Sequence, residues 1–129
     1  MTIHNLAARA AILALAIVLA ACTDNGLTEP GESGTRWNPG ETATDSRRGV
    51  DLTISYNSTT RRFDGSVTNT NASAVAEVRV EIHLSNGTEL GPTPRVNLEA
   101  NETKSVTLDA SGQNFSWYSV HVELGSSSS

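Results

Sequence analysis

Apolar and polar side chains alternate strictly along the chain beyond residue 49, and this alternation is typical of half-buried β-strands. The longest run has apolar residues at every second position from Ala76 to Leu84 and ends at Asn86-Gly87, a pair that favours a tight turn. No 3.6-residue helical period occurs in this part of the sequence. We therefore predict strands at 50–56, 63–67, 76–84, 88–90, 96–98, 103–108 and 115–124.

These strands predict an all-β fold, an immunoglobulin-like antiparallel β-sandwich of six to seven short strands spanning residues 50–124. Pro92 and Pro94 cannot donate backbone hydrogen bonds, so the segment 91–94 is expected at a sheet edge. Because Cys22 is the only cysteine, no disulfide framework braces the domain. Residues 125–129, a glycine and serines, are predicted to form a disordered tail.

Residues 1–21 follow a different pattern, with Arg9 as their only formal charge and an unbroken apolar run over 10–21. As a helix this run rises about 18 Å, well short of the roughly 30 Å hydrocarbon core of a bilayer. It therefore predicts a helical export signal peptide rather than a membrane span. The run ends in an aliphatic residue, two small residues and a cysteine, Leu19-Ala20-Ala21-Cys22.

This tetrapeptide resembles the lipobox of bacterial lipoproteins. The resemblance implies cleavage between Ala21 and Cys22 and acylation of the Cys22 thiol, with several acyl chains anchoring the protein where one would hold it only marginally. Thr23 rather than aspartate follows the cysteine, which favours the outer membrane of the cell envelope, facing the periplasm or the cell surface. The alternative is a soluble secreted protein cleaved after Ala20 or Ala21, with Cys22 an incidental thiol.

The segment 22–49 is predicted to be the lipidated N-terminus followed by a flexible linker, because it is rich in Gly, Pro, Thr, Ser and Glu. Behaving as a Gly-rich coil, it would span about 30 Å on average. Leu27 and Trp37 are its only large apolar residues after the cysteine. Trp37 either docks on its own domain, which is the commoner case, or anchors a partner.

Three stretches of the predicted domain carry a second resemblance: Arg62 to Asn69 (RFDGSVTN), the alternating run from Val78 to Gly87, and Leu98 to Thr103 (LEANET). Together they resemble the FxLYD-type domain, over roughly residues 50–124. Residues 100–102 depart from the proline-glycine turn that is common in that family. The resemblance implies an extracytoplasmic β-sandwich without established catalytic residues.

The alternation also predicts two polar outer faces. The longest strand directs Glu77, Arg79, Glu81 and His83 away from the core, and the last strand so directs Trp117, Ser119, His121 and Glu123. The two strands often pair in immunoglobulin-like sandwiches, which would merge the faces. A cluster of His83, His121, Glu81 and Glu123 would then suit zinc or copper; the alternative is an ordinary solvated face with cross-strand ion pairs.

Trp117 and Tyr118 are neighbours on the last predicted strand, so one of the two side chains must point outward. An outward Trp117 near Arg79 and His121 suits recognition of a protein or a glycan. The alternative is that Trp117 covers the rim of the core.

Several classes of function are disfavoured by the sequence. It contains no G-x-S-x-G elbow and no glycine-rich phosphate loop, so we predict neither an enzyme nor a cofactor. Without Arg9 the chain has 8 basic (9 − 1) and 14 acidic side chains, which disfavours nucleic acid. Five N-x-S/T matches are interpreted as turn residues, at Asn57, Asn71, Asn86, Asn101 and Asn114.

The sequence thus predicts a membrane-anchored lipoprotein whose β-sandwich is a non-catalytic binding or assembly module for another envelope protein or glycan. The alternative function is that of a periplasmic metal-binding protein using His83 and His121.

Overall fold

The computed structural model describes residues 34–125, and over this range the chain forms strands and no helix. The strands form two antiparallel sheets, which confirms the all-β prediction. Their bounds are β1 (Thr42–Arg47), β2 (Val50–Asn57), β3 (Arg62–Asn69), β4 (Val75–Leu84), β5 (Glu89–Leu90), β6 (Val96–Leu98), β7 (Thr103–Asp109) and β8 (Tyr118–Glu123). Strands β2 to β8 were predicted and β1 was not.

The first sheet has the order β1-β2-β3-β7, and the second is built around β4. One edge of β4 pairs with β8, and the other pairs with β5 and then β6. Between β5 and β6 the chain follows the same edge, where Thr93 N donates to Val80 O at 3.0 Å. The proline-containing segment therefore lies at the edge of the paired strands, as predicted.

Alternation places one row of side chains from each sheet in a shared core. Phe63 from the first sheet and Tyr118 from the second are its largest fully buried side chains, and their ring centroids lie 4.9 Å apart. Burying a large apolar side chain stabilises the fold by about 1.5–3 kcal/mol. The other fully buried apolar side chains of large volume are Val50, Leu52, Ile54, Val67, Val78, Val80, Ile82, Leu98 and Val122.

Ala76, which the sequence predicted to face inward, is exposed, whereas Val75 packs against the core and the fully buried positions of β4 begin at Val78. Val75 pairs with Leu98 and Val78 with Val96, so three steps along β4 match two along β6. The extra residue makes a β-bulge, with Glu77 at a φ of 61°. The bulge interrupts the alternation that places Ala76 inward in the sequence-based prediction.

The domain begins well before residue 50, in a stretch that the sequence predicted as flexible linker. β1 pairs with β2 through a two-residue turn at Arg48-Gly49, both of which have positive φ. β1 was missed because Ala43 is its only apolar residue, and Ala43 is fully buried. Backbone pairing with β2, rather than a hydrophobic pattern, defines this strand.

The predicted signal peptide, the lipidation site Cys22 with its cleavage position at Ala21, and the first part of the linker lie outside the described residues, as do residues 126–129. Within 34–125 no helix is long and apolar enough to cross a bilayer.

Candidate functional site

The outer face of the second sheet carries most of the predicted candidate residues. Pairing of β4 with β8 sets Glu81 opposite His121 and Arg79 opposite Glu123. This pairing merges the two polar faces, as the sequence predicted. Directly opposite residues in an antiparallel pair have Cβ atoms about 4.5–5.5 Å apart, so these side chains must interact.

The two histidines His83 and His121 lie on this face as diagonal neighbours. His83 is opposite Ser119, two positions before His121 on β8. Their ring centroids are 5.0 Å apart and the ring planes meet at 78°, an edge-to-face arrangement. Histidines 38 positions apart in the sequence (121 − 83) are therefore in contact because β4 and β8 pair in this register.

On its other side His83 faces a carboxylate that the sequence did not indicate, Glu89 of β5. His83 Nδ1 lies 3.9 Å from Glu89 Oε2. One potential ligand atom from each of Glu81, His83 and Glu89 falls within 4.8 Å of the other two. Glu89 was missed because β5 has only two residues, too few to show an alternation. The register could not be counted from the Asn86-Gly87 pair either, because a two-residue turn there would set Glu89 opposite Leu84, whereas the loop has three residues and sets it opposite His83.

Glu123, which the sequence grouped with the histidines, is engaged by Arg79. The Arg79 guanidinium donates to Glu123 Oε2 and also lies 3.7 Å from Glu81 Oε1. The Glu81 side chain is buried, with 7 % of the residue exposed. Arg79 is therefore an internal counter-ion of this face, since a buried carboxylate is stable only when paired.

One end of the face is covered by the chain that leads into β1. Trp37 N donates to Tyr118 O at 2.8 Å, and Tyr118 N donates to Trp37 O at 2.9 Å. Gly34 lies so close to β8 that a Cβ there would be 2.9 Å from both His121 Cε1 and Ser119 Cβ. Trp37 packs against the core, so the interpretation that it docks on its own domain is confirmed.

Trp117 is the outward member of the Trp117-Tyr118 pair, since Tyr118 is fully buried. Trp117 is half-buried, and the Arg36 guanidinium carbon lies 4.2 Å from its ring centroid, in cation–π contact. It is Trp37, and not Trp117, that packs on the core. Arg79 and His121 share the face with Trp117, but Arg79 is opposite Glu123, about 20 Å further along β8.

Below this face the Tyr118 hydroxyl donates to the carbonyl of Glu41 at 2.6 Å. Burial raises the pKa of the Tyr118 phenol above its usual value, because the charged form would be desolvated. This hydrogen bond connects the segment before β1 to the start of β8. The phenol therefore supports the covering segment from inside the core.

No protein-family model matches this chain, and neither a curated protein nor a solved structure is significantly similar to it. The function is therefore inferred from the sequence motifs and from the geometry of residues 34–125.

Proposed function

We propose that this protein is a membrane-anchored lipoprotein of the bacterial cell envelope, whose two sheets form an immunoglobulin-like sandwich that acts as a non-catalytic binding or assembly module. The lipobox-like sequence Leu19-Ala20-Ala21-Cys22 supports the anchor. The resemblance of residues 50–124 to the FxLYD-type domain supports an extracytoplasmic sandwich. The binding surface is proposed at Trp117 and Arg36.

The observation that carries this proposal is the early start of the fold. Because the described chain already contacts β8 at Gly34, only the residues between Cys22 and Gly34 separate the proposed lipid from the domain. Even fully extended, these twelve steps (34 − 22) reach only about 40 Å. The domain would thus act close to the membrane surface, on partners that are themselves at the membrane or in the adjoining wall.

The proposed binding surface combines an aromatic ring with a cation next to it. Trp117 offers a half-buried indole, and Arg36 is an exposed residue stacked over it. Tryptophan and arginine are the residue types most enriched at binding hot spots, and aromatic faces also stack on sugar rings. This pair therefore suits an envelope protein or a glycan.

The anchor is tested by metabolic labelling with an alkyne fatty acid in a bacterial host. We expect the wild-type chain to be labelled and to sediment with membranes, and Cys22→Ser to lose both properties. Thr23→Ser serves as the matched control and should remain labelled. Labelling that persists in Cys22→Ser, or a soluble unlabelled wild type, would contradict the anchor.

The binding surface is tested by co-sedimentation with purified peptidoglycan and by cross-linking in intact envelopes. Trp117→Ala and Arg36→Ala should each weaken the interaction about ten-fold or more, as expected for hot-spot residues. Arg47→Ala is the matched control, because Arg47 is an exposed arginine at the far end of β1. Equal binding by all variants in both assays would refute the proposed surface.

A further inference from the structure

The outer face of β5, β4 and β8 has the donor set of a transition-metal site. We propose that Glu81, His83 and Glu89, with His121 as a fourth ligand, bind one divalent zinc-like ion. The proposed site lies further along the same outer face than Trp117, uses none of the residues of the proposed binding surface and does not depend on the lipid anchor. It replaces Glu123 of the sequence-based ligand set with Glu89.

The first support is the placement of the ligands by backbone pairing. His83 of the central strand has Glu89 directly opposite on β5, and Glu81 of the same strand has His121 directly opposite on β8. Four ligand-type side chains on three neighbouring strands therefore point to the same side of one sheet. Sites on paired strands are held more rigidly than sites on loops.

The second support is distance. The potential ligand atoms of Glu81, His83 and Glu89 all lie within 4.8 Å of one another. Zinc binds imidazole nitrogen at about 2.0–2.1 Å and carboxylate oxygen at about 2.0–2.2 Å. An ion between the three atoms would require each of them to move by less than about 1 Å, which side-chain rotation provides. His121 is outside this group of three: its ring contacts the ring of His83, and its Nε2 lies 3.4 Å from Ser119 Oγ. Its ring would therefore have to turn towards the other three side chains to supply the fourth ligand.

The third support is charge and exposure. Arg79 balances Glu123 and holds Glu81 through a contact of 3.7 Å, so it acts as a positioning residue. A divalent ion would balance the charges of Glu81 and Glu89. The Glu89 side chain is 49 % exposed, so an ion could reach the site from solvent on that side. The Glu81 side chain is only 9 % exposed and lies on the buried side of the site.

The mixed nitrogen and oxygen donors select the class of ion. Imidazole suits zinc, copper and nickel, whereas calcium and magnesium prefer oxygen ligands alone. We therefore expect zinc to bind and calcium and magnesium not to compete with it at a hundred-fold excess.

The test is a zinc titration of the full chain carrying Cys22→Ser, which excludes binding through the thiol and keeps the result independent of the anchor. Isothermal calorimetry should give one zinc per chain, and cobalt should show the d–d absorption of a nitrogen-containing site. His83→Ala and Glu89→Gln should each raise the Kd about ten-fold or more and abolish the cobalt spectrum. Glu99→Gln, which alters an exposed glutamate beyond β6, is the matched control.

Glu89 is exposed, so Glu89→Gln should fold like the wild type, and circular dichroism checks this. The proposal is overturned if no zinc binds at micromolar concentration, if folded Glu89→Gln and His83→Ala keep full affinity, or if calcium binds equally well.

Discussion

Asn69, at the end of β3, makes buried hydrogen bonds that few other side chains could replace. It is fully buried, and its amide nitrogen donates to the carbonyls of Ser73, Leu98 and Glu99 at 2.8, 3.2 and 3.0 Å. Its Oδ1 accepts from the backbone and side chain of Asn71. One side chain thus ties two loops together.

Replacing Asn69 with leucine should lower the free energy of unfolding by about 3 kcal/mol, because buried carbonyls lose their donor. Urea unfolding followed by tryptophan fluorescence measures this change. Asn114→Ala, at an exposed asparagine, should change stability by less than about 0.5 kcal/mol. Equal unfolding midpoints for the two variants would contradict the role of Asn69.

Because of Tyr118, the free energy of unfolding should decrease at alkaline pH. Its phenol pKa is raised in the folded state, so the stabilising contribution of the neutral phenol is complete below the unfolded pKa of about 10 and is lost as the pH rises through the folded pKa. Tyr118→Phe should cost about 1 kcal/mol at pH 8, because the hydrogen bond to Glu41 is lost.

Denaturant titrations of the wild type and Tyr118→Phe at pH 8 and pH 11 test this dependence. The wild type should lose more stability between the two pH values than Tyr118→Phe does. An identical loss in both proteins would show that Tyr118 does not titrate with unfolding.

At the scale of elements, the strands with an apolar alternation could be predicted from sequence and those without it could not. β2 and β7 start at the predicted residues, because Val50-Leu52-Ile54 and Val106-Leu108 carry a period of two. β1 has the sequence TATDSR and shows no such period. The metal-site candidates on β4 and β8 were predicted for the same reason, whereas Glu89 on the two-residue β5 was not.

The segment before β1 lies so close to β8 at Gly34 that there is no room for a larger side chain. Gly34→Ala should cost about 1–3 kcal/mol, or detach this segment, because its Cβ would lie 2.9 Å from the ring of His121 and from Ser119. Gly40→Ala is the control, since a Cβ there meets nothing within 4 Å.

Thermal unfolding and the His121 ring proton signals in NMR spectra report the two effects of Gly34→Ala. If Gly34→Ala and Gly40→Ala have the same melting temperature and the same His121 signals, the segment does not lie on β8.

At the scale of the whole molecule, the first described strand, β1, contacts the last one, β8. β1 is the edge strand of the first sheet, and Asp45 Oδ2 accepts a hydrogen bond from Val122 N of β8 at 2.8 Å. Ala43 of β1 contributes to the shared core. The folding unit therefore includes residues before position 50.

A chain that begins at residue 50 should fail to unfold cooperatively, since it loses the β1–β2 ladder and the pairing of Trp37 with Tyr118. A chain that begins at residue 34 should retain the stability of the mature protein, and both are compared by thermal unfolding and NMR dispersion. Equal melting temperatures would place the domain boundary at residue 50 after all.

The sequence by itself determined the class of fold, most strand positions and most inward-facing residues, because a period of two is a local property that a strand with alternating apolar residues displays on its own. It also determined the lipobox-like motif, which depends on neighbouring residues only. Only the tertiary structure decided that Glu89 lies opposite His83 and that Arg79 forms an ion pair with Glu123. The same is true of the close approach of Gly34 to the ring of His121. These outcomes depend on the register between strands and on where a distant segment crosses them, and both are set by packing across the whole chain.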